Sequence, residues 1–411
     1  MEMSTENLQS SNLPTGPRKR VLIVGGSTRA AAGSALRAGF QPICADLFAD
    51  VDTQQLAKIV PVRSYPDSLP DDVADVVADG WFYTGALENR PDLIARLARP
   101  DAPYGELWGT PADALRLIRD PFWVAEVLRR QKAPVLEVLP QSQGPPADGA
   151  WMLKPLASAG GRAVSVWDRQ RQLLPTSEPV YFQRRAEGVH LSGLYEMAGD
   201  TLKFHGFTRQ QVFHALSGAT SPYLYSGSIG PLAAVTESQE LNERLRQDLA
   251  ACVKVLAQES GLAGIFGVDF ILDSHGVSWI LEVNPRYTAS IEILELAYRL
   301  PLLPLTCLGH IPPQTAHTAN SETVPIVAKT ILYARHPFIA PDLRELLPDG
   351  SVWNVPKLAD VPIPGTAIDA HWPICTVMSE GRTEAECLRR LRDRVDTVRE
   401  MVNHRSLGDA N

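Results

Sequence analysis

Gly267-Val268-Asp269-Phe270-Ile271-Leu272-Asp273-Ser274-His275-Gly276-Val277-Ser278-Trp279-Ile280-Leu281-Glu282-Val283-Asn284-Pro285-Arg286 is the most informative stretch of this chain. Val268, Phe270 and Leu272 alternate with Asp269, Ile271 and Asp273, the period-2 pattern of a strand. Asp273-Ser274-His275-Gly276 supplies a turn and 277–283 a return strand, so the stretch predicts a β-hairpin. Alternation places Glu282 and Asn284 on one face, and the hairpin folds Asp269 back beside them. Two carboxylates and an amide oxygen make an all-oxygen donor set, which suits Mg²⁺ shared with phosphate oxygens, and Mn²⁺ accepts the same donors. Arg286 follows at once, where it can neutralise charge on a transferring phosphoryl group. Any one of these acids alone would be read as a solvated surface group; their combined spacing favours a site.

Working outward, Trp151-Met152-Leu153-Lys154-Pro155-Leu156-Ala157-Ser158-Ala159-Gly160-Gly161-Arg162 reads as a strand entering a loop of small residues. Around Ser158, Gly160 and Gly161 the backbone N–H groups can approach phosphate oxygens, and Lys154 adds positive charge. The pattern GxxxxGK[ST] is absent, so this is not a Walker A loop. A hairpin expected over 192–208 carries Lys203 as a further phosphate cation. The aromatic, Gly-rich stretch 222–231, with Ser228, reads as a loop that forms a substrate-binding edge or a mobile lid. Beyond Arg286, Ser290 opens a helix over 291–298, and a helix N-terminus suits an anionic substrate group. The helix over 241–258 is amphipathic core packing.

Near the N-terminus, strand 21–24, the turn from Gly25, helix 30–38 and strand 42–46 form a unit of Rossmann type. A full GxGxxG is missing, but Asp46 at a strand end keeps an NAD-linked oxidoreductase as a rival reading. Residues 73–77 are expected to form a third strand. The segment 84–89 lies at a strand's C-terminal end, where α/β proteins place ligands, so Glu88 and Asn89 are substrate candidates or the cap before the helix over 91–97, with capping favoured for Asn89. Helices are expected over 111–118 and 122–130. Strands over 324–334, 359–366 and 373–381 and a closing helix over 384–402 make a last unit.

The chain has 411 residues, 45% hydrophobic and 21% charged, with a net charge of −8. That length suits two or three domains, and the acidic balance without a long basic run argues against a nucleic-acid partner. The five cysteines are scattered with no CxxC, so neither a disulfide framework nor a zinc site is expected, and reduced thiols fit a cytoplasmic protein. No apolar run is long enough for a membrane span. Residues 1–18 read as a disordered tail.

The late hairpin resembles the metal-binding hairpin of the ATP-grasp superfamily, which has an acid in the first strand and Glu-x-Asn-Pro-Arg at the end of the second. The Lys154 loop resembles the glycine-rich loop of that family's smaller lid domain. The resemblance implies a mixed α/β and α+β chain. It would comprise a Rossmann-like domain over 19–112, a two-part ATP-grasp domain over 113–315 with its small lid about 121–182, and a β-rich unit with a closing helix over 316–411. That last unit is similar to the one in biotin-carboxylase-like relatives. The resemblance further implies that Lys154, Ser158, Gly160 and Gly161 hold ATP phosphates, that Gln183 and Arg184 lie at the adenine hinge, and that His190 makes a ribose or phosphate contact. Lys203 would add charge; Asp269, Glu282 and Asn284 would hold Mg²⁺ or Mn²⁺, and Arg286 would be catalytic. Arg29, Glu88, Ser228 and Ser290 are the substrate candidates, with Arg29 on a substrate carboxylate.

The implied activity is an ATP-dependent ligase that joins a carboxylate to an amine through an acyl-phosphate, as in cofactor biosynthesis. Its partners would be small-molecule acid and amine substrates, and its assembly a homodimer. A kinase-like enzyme that stops at phosphorylation and a nucleotide-binding protein without catalysis are the rivals within the family. Two departures stand out. Many relatives have a lysine where Ile118-Arg119-Asp120 stands here, and Asp269 occupies a place where many use Glu.

Overall fold

The computed structural model describes residues 18–172, 178–210, 214–233, 235–303, 324–347 and 350–408. The expected tail lies outside them except for its last residue, as do the expected domain boundary at 315 and Cys307.

The first domain is a parallel sheet of β1 (Arg20–Gly25), β2 (Gln41–Asp46), β3 (Lys58–Val60), β4 (Gly80–Tyr83) and β5 (Glu106–Leu107), in the order β3-β2-β1-β4-β5. Val21, Leu22, Ile23 and Val24 are all fully buried, as expected of a parallel strand covered on both faces. The helices here are α1 (Arg29–Arg37), α2 (Val51–Leu56), α3 (Leu69–Asp72) and α4 (Pro91–Leu97). The strand expected over 73–77 is absent. Val73 instead caps α3 and is buried there, while the acids around it suit a turn; the third and fourth strands are β3 and the aromatic Trp81-Phe82-Tyr83 of β4.

Helices α5 (Ala112–Ile118) and α6 (Pro121–Arg130) lead out of this domain. Asp120 accepts from the backbone N–H groups of Phe122 and Trp123, and Pro121 occupies the first turn, so α6 starts where the sequence places its cap. A four-stranded antiparallel lid follows: β6 (Val138–Pro140), β7 (Asp148–Pro155), β8 (Ser165–Asp168) and β9 (Val180–Arg184), ordered β6-β9-β7-β8, with the short helix α7 (Arg169–Gln172) after β8.

An eight-stranded sheet forms the rest. It begins with β10 (Val189–Ala198) and β11 (Thr201–Gln210), and after the short α8 (His214–Ser217) continues with β12 (Gly227–Gly230). Helix α9 (Gln239–Ser260) lays Leu245, Leu249, Val253 and Leu256 on Phe266, Val268 and Phe270 of β13 (Gly264–Leu272). Next come β14 (Ser278–Asn284), α10 (Ala289–Tyr298) and β15 (Ile326–Tyr333). The remaining elements are β16 (Phe338–Ile339), β17 (Leu358–Ala359), β18 (Ala367–Ile368), β19 (Pro373–Gly381) and α11 (Glu384–Gly408). The order is β14-β13-β10-β11-β12-β15-β19-β17, with β16 and β18 paired separately. The expected loop over 222–231 therefore contains a buried central strand, β12. The expected strand over 359–366 survives only at its start, because Pro362 and Pro364 lack the N–H that a ladder needs.

Phe40, Phe82, Ala31 and Ala32 of the first domain share a core with Leu194, Ile265, Ile291 and Leu294 of the large sheet and α10, so the two domains pack as one body. Cys44, Cys252, Cys375 and Cys387 are free thiols. Among the described residues, no helix is long and apolar enough to cross a membrane.

Candidate active site

A cleft of about 510 Å³ lies between the lid sheet and the large sheet. The hairpin β13–β14 forms its floor. Asp269 and Glu282 are direct partners across the two strands, and a register shift after Asp269 turns the strand there. Asn284 Nδ2 donates to Asp269 Oδ2 at 2.9 Å. Both carboxylates are partly open to the cleft. Withdrawal from bulk water, then the Glu282 charge, pushes Asp269 up to about 6, against hydrogen bonds from Ser192 and Gln210. Burial works the same way on Glu282, but the Arg119, Lys154 and Arg286 charges outweigh it and hold that carboxyl below its usual range. Two mutually opposed acids are donors that a hard divalent cation fits, while the Asn284 amide turns its Nδ2 to Asp269 and its Oδ1 to Arg286. With only two acids this is not a cluster of three His, Cys, Asp or Glu, and no such cluster occurs among the described residues.

Arg286 is fixed on every side. Its Nε donates to Glu88 Oε1 at 2.7 Å, Nη1 to the Tyr287 carbonyl at 3.1 Å and Nη2 to Asn284 Oδ1 at 3.2 Å. Glu88 is fully buried and holds Arg286 from behind; it is not on the cleft wall.

On the lid side, Lys154 Nζ donates to Gln183 Oε1 at 2.9 Å, so the expected phosphate lysine and hinge glutamine are neighbours on β7 and β9. The loop between β7 and β8 passes over the cleft. Gly160 and Gly161 have φ of +62° and +73°, and a Cβ on Gly161 would come within 1.8 Å of the Tyr223 carbonyl oxygen. Only glycine allows that approach. The Tyr225 N–H then donates to the Gly160 carbonyl at 2.8 Å. His190 lines the cleft opposite, and burial plus the Lys154 charge lower its pKa, which keeps it neutral near pH 7. Arg184 lines the cleft and stacks 5.3 Å over Trp151.

Ser228 and Ser290 line the other end. Ser290 Oγ lies 2.8 Å from Thr208 Oγ1, and Ser228 Oγ lies 2.8 Å from the Tyr225 hydroxyl. The Thr288 hydroxyl beside them is buried with no partner among the described residues.

Besides Glu88, two expected site residues lie off the cleft wall. Arg29 is not an open arm for a substrate: it is buried and held by Glu292, Asp360 and Asp52. Lys203 pairs across from Glu196 near the hairpin turn. At about 3.3 Å per residue it stands more than 20 Å along β11 from Gln210, the β11 residue on the cleft wall. The Asp46 of the rival dinucleotide reading is also engaged. Its carboxylate accepts from the Thr28 N–H and hydroxyl and from the N–H groups of Phe48 and Ala49, leaving nothing for a ribose.

Other residues carry more than their sequence context signals. Arg119 lies against the cleft and donates to Glu282 Oε2 at 3.4 Å, the Val283 carbonyl at 3.2 Å, Asn89 Oδ1 at 3.1 Å and the Ser158 carbonyl at 2.9 Å. Val124, Leu128, Val138, Met152 and Ile280 form an apolar wall deep in the cleft. Their only sequence signal is ordinary core patterning.

The model of the ATP-grasp domain family matches residues 118–290. The biotin carboxylase domain of 2-oxoglutarate carboxylase from Hydrogenobacter thermophilus, solved as a dimer with MgADP and bicarbonate, is 14% identical, with a TM-score of 0.67 over 92% of this chain and 90% of that one. An L-amino acid ligase from Bacillus licheniformis is 14% identical, with a TM-score of 0.65 over 93% and 98%. A phosphoribosylamine–glycine ligase from Thermotoga maritima is 16% identical, with a TM-score of 0.64 over 92% and 96%. At such identities these structures share the fold. No curated protein matches the sequence.

Proposed function

We propose, on the premise of the ATP-grasp domain matched over residues 118–290, that this chain is an ATP-dependent ligase joining a carboxylate to an amine through an acyl-phosphate. The observation that carries this reading is one cleft with Asp269, Glu282 and Asn284 on its floor and Lys154 with the 158–161 loop on its roof. Asp269, Glu282 and Asn284 would hold Mg²⁺ or Mn²⁺, which when bound screens phosphate charge and acts as a Lewis acid. Lys154 and the backbone of Ser158, Gly160 and Gly161 grip the phosphates, while Gln183, Arg184 and His190 bind the nucleoside. Arg286, rigidly held by Glu88, Asn284 and the Tyr287 carbonyl, neutralises charge that develops as the substrate carboxylate attacks the terminal phosphorus. Ser228 and Ser290 orient the acid. The amine then displaces phosphate from the acyl carbon, and the covering loop keeps water from that intermediate. Small-molecule acid and amine are the partners, homodimer the assembly, cytoplasm the location and cofactor biosynthesis the setting we assign.

The first test is thermal stability with ATP and Mg²⁺. A ligand bound only to the folded state adds about 2.7 kcal/mol at a hundredfold excess over its Kd. Wild type should show that stabilisation only with Mg²⁺, and Glu282→Ala should abolish it. A shift independent of Mg²⁺, or one retained in Glu282→Ala, would sink the metal assignment.

The same signal should depend on pH. Asp269 takes a proton below about 6, and proton and cation compete for it. Mg²⁺-dependent stabilisation should therefore weaken as pH falls through 6, by about tenfold in cation affinity per unit once the proton dominates. The raised pKa also sets the sign in the ligand-free protein: this group's contribution to stability is full at low pH and is lost as pH rises through about 6. Titrations at pH 5 and 7.5 that gave equal cation affinity would count against the assignment.

A further inference from the structure

Asn89 ends the 3₁₀ turn Leu87–Asn89 in the first domain, far along the chain from both the late hairpin and the glycine loop. Its Nδ2 nevertheless donates to the Ser158 carbonyl of that loop at 3.1 Å, and its Oδ1 accepts from Arg119 Nη2 at 3.1 Å. The same Nη2 donates to the Ser158 carbonyl at 2.9 Å. Three segments thus close a triangle around one backbone oxygen. Bonds from a guanidinium are the stronger, charge-assisted kind. Arg119 Nη1 continues from the triangle to Glu282 Oε2 and the Val283 carbonyl. The loop's far side is fastened separately, by the Tyr225 N–H on the Gly160 carbonyl.

We propose that Asn89 is a positioning residue: it latches the glycine loop shut through the Ser158 carbonyl and, by way of Arg119, ties the loop's position to the charge at Glu282. An amide side chain is required because one atom must donate and the other accept; a carboxylate supplies only the acceptor. The first domain thereby takes part in closing the cleft. Because Asn89 directly follows Glu88, which orients Arg286, one short turn sets both the loop and the cation beside the metal hairpin. The inference deepens the ligase reading, since it treats the loop as a phosphate lid, but the latch itself is tested without nucleotide.

Arg162 is exposed on the loop and offers a trypsin site. Full-length wild type, Asn89→Ala and Asn89→Asp are digested briefly without ligand. Cleavage after Arg162 is scored against cleavage after Arg130, an exposed arginine on α6. Both variants should raise that ratio at least fivefold. Asn89→Asp is the decisive one, because it keeps the size and the acceptor for Arg119 and replaces the donor to Ser158 with a charged acceptor. A smaller rise in Asn89→Asp overturns the proposal, as does equal acceleration at both sites, which would report general loosening. MgATP added to the wild type tests the ligase reading alone: protection at Arg162 supports it, and none opposes it whichever way the variants behave.

Discussion

Replacing Glu292 by Ala is expected to cost about 3–5 kcal/mol of folding stability, read as a fall in the urea midpoint with the slope unchanged. Glu292 is buried on α10 and bonds both Arg29, from the first domain, and Lys329 Nζ, at 3.0 Å from β15. Burial alone would raise its pKa, yet the Arg29 and Lys329 charges hold it well below the carboxylate range. Removing the acid strands Lys329 and leaves Arg29 to Asp360 and Asp52. The cost is therefore mostly that of an unpaired buried cation. A double variant, Glu292→Leu with Lys329→Met, removes both partners together and should recover more than half of the loss, because apolar groups of similar volume often replace a buried pair without penalty. A double variant no more stable than Glu292→Ala would show that shape, not charge, governs this junction.

Arg286→Ala should lower kcat for ADP release by about 10²–10³, with KM for ATP little changed, because one preorganised donor at a developing charge is worth that much. The rigidity of Arg286 is the basis: three acceptors of the protein itself fix its guanidinium. Arg286→Lys keeps the charge and loses the planar fork, so it should fall between. Glu88 would be left buried opposite Ala, so Glu88→Gln with Arg286→Ala is the control that separates lost catalysis from lost stability. A raised KM with unaltered kcat would make Arg286 a ground-state binding group.

The hairpin was readable because its information is local. Alternation, a turn and the Glu-x-Asn-Pro-Arg run lie within one stretch, and Asp269 and Glu282 do pair across it. The parallel first sheet was readable from Val21-Leu22-Ile23-Val24 for the same reason. What failed was long-range. Arg29 looks like a free first-turn arginine until Glu292 and Asp360, hundreds of residues away, arrive beside it. The bulk of Val73 and Val76 suggested a strand, yet Val73 is buried against the first-domain core while α3 and its turn satisfy the backbone. β12 was hidden because two of its four residues, Gly227 and Gly230, disfavour strands, and it is held by neighbours on both sides. Asn89, Arg119 and Ser158 lie far apart in the sequence; only the tertiary fold makes them one contact.

β12 also fixes where the protein can be cut. The family match ends at residue 290, which invites expression of the matched segment alone. β12, however, shares two register pairs with β11 and four with β15, so its main support comes from beyond that boundary. A gene truncated there would leave Ile229 uncovered, an open strand edge prone to pair with other chains, and the buried Arg29 without Glu292. For recombination, fusion or evolutionary transfer, the portable unit is the first domain, the lid and the whole eight-stranded sheet together.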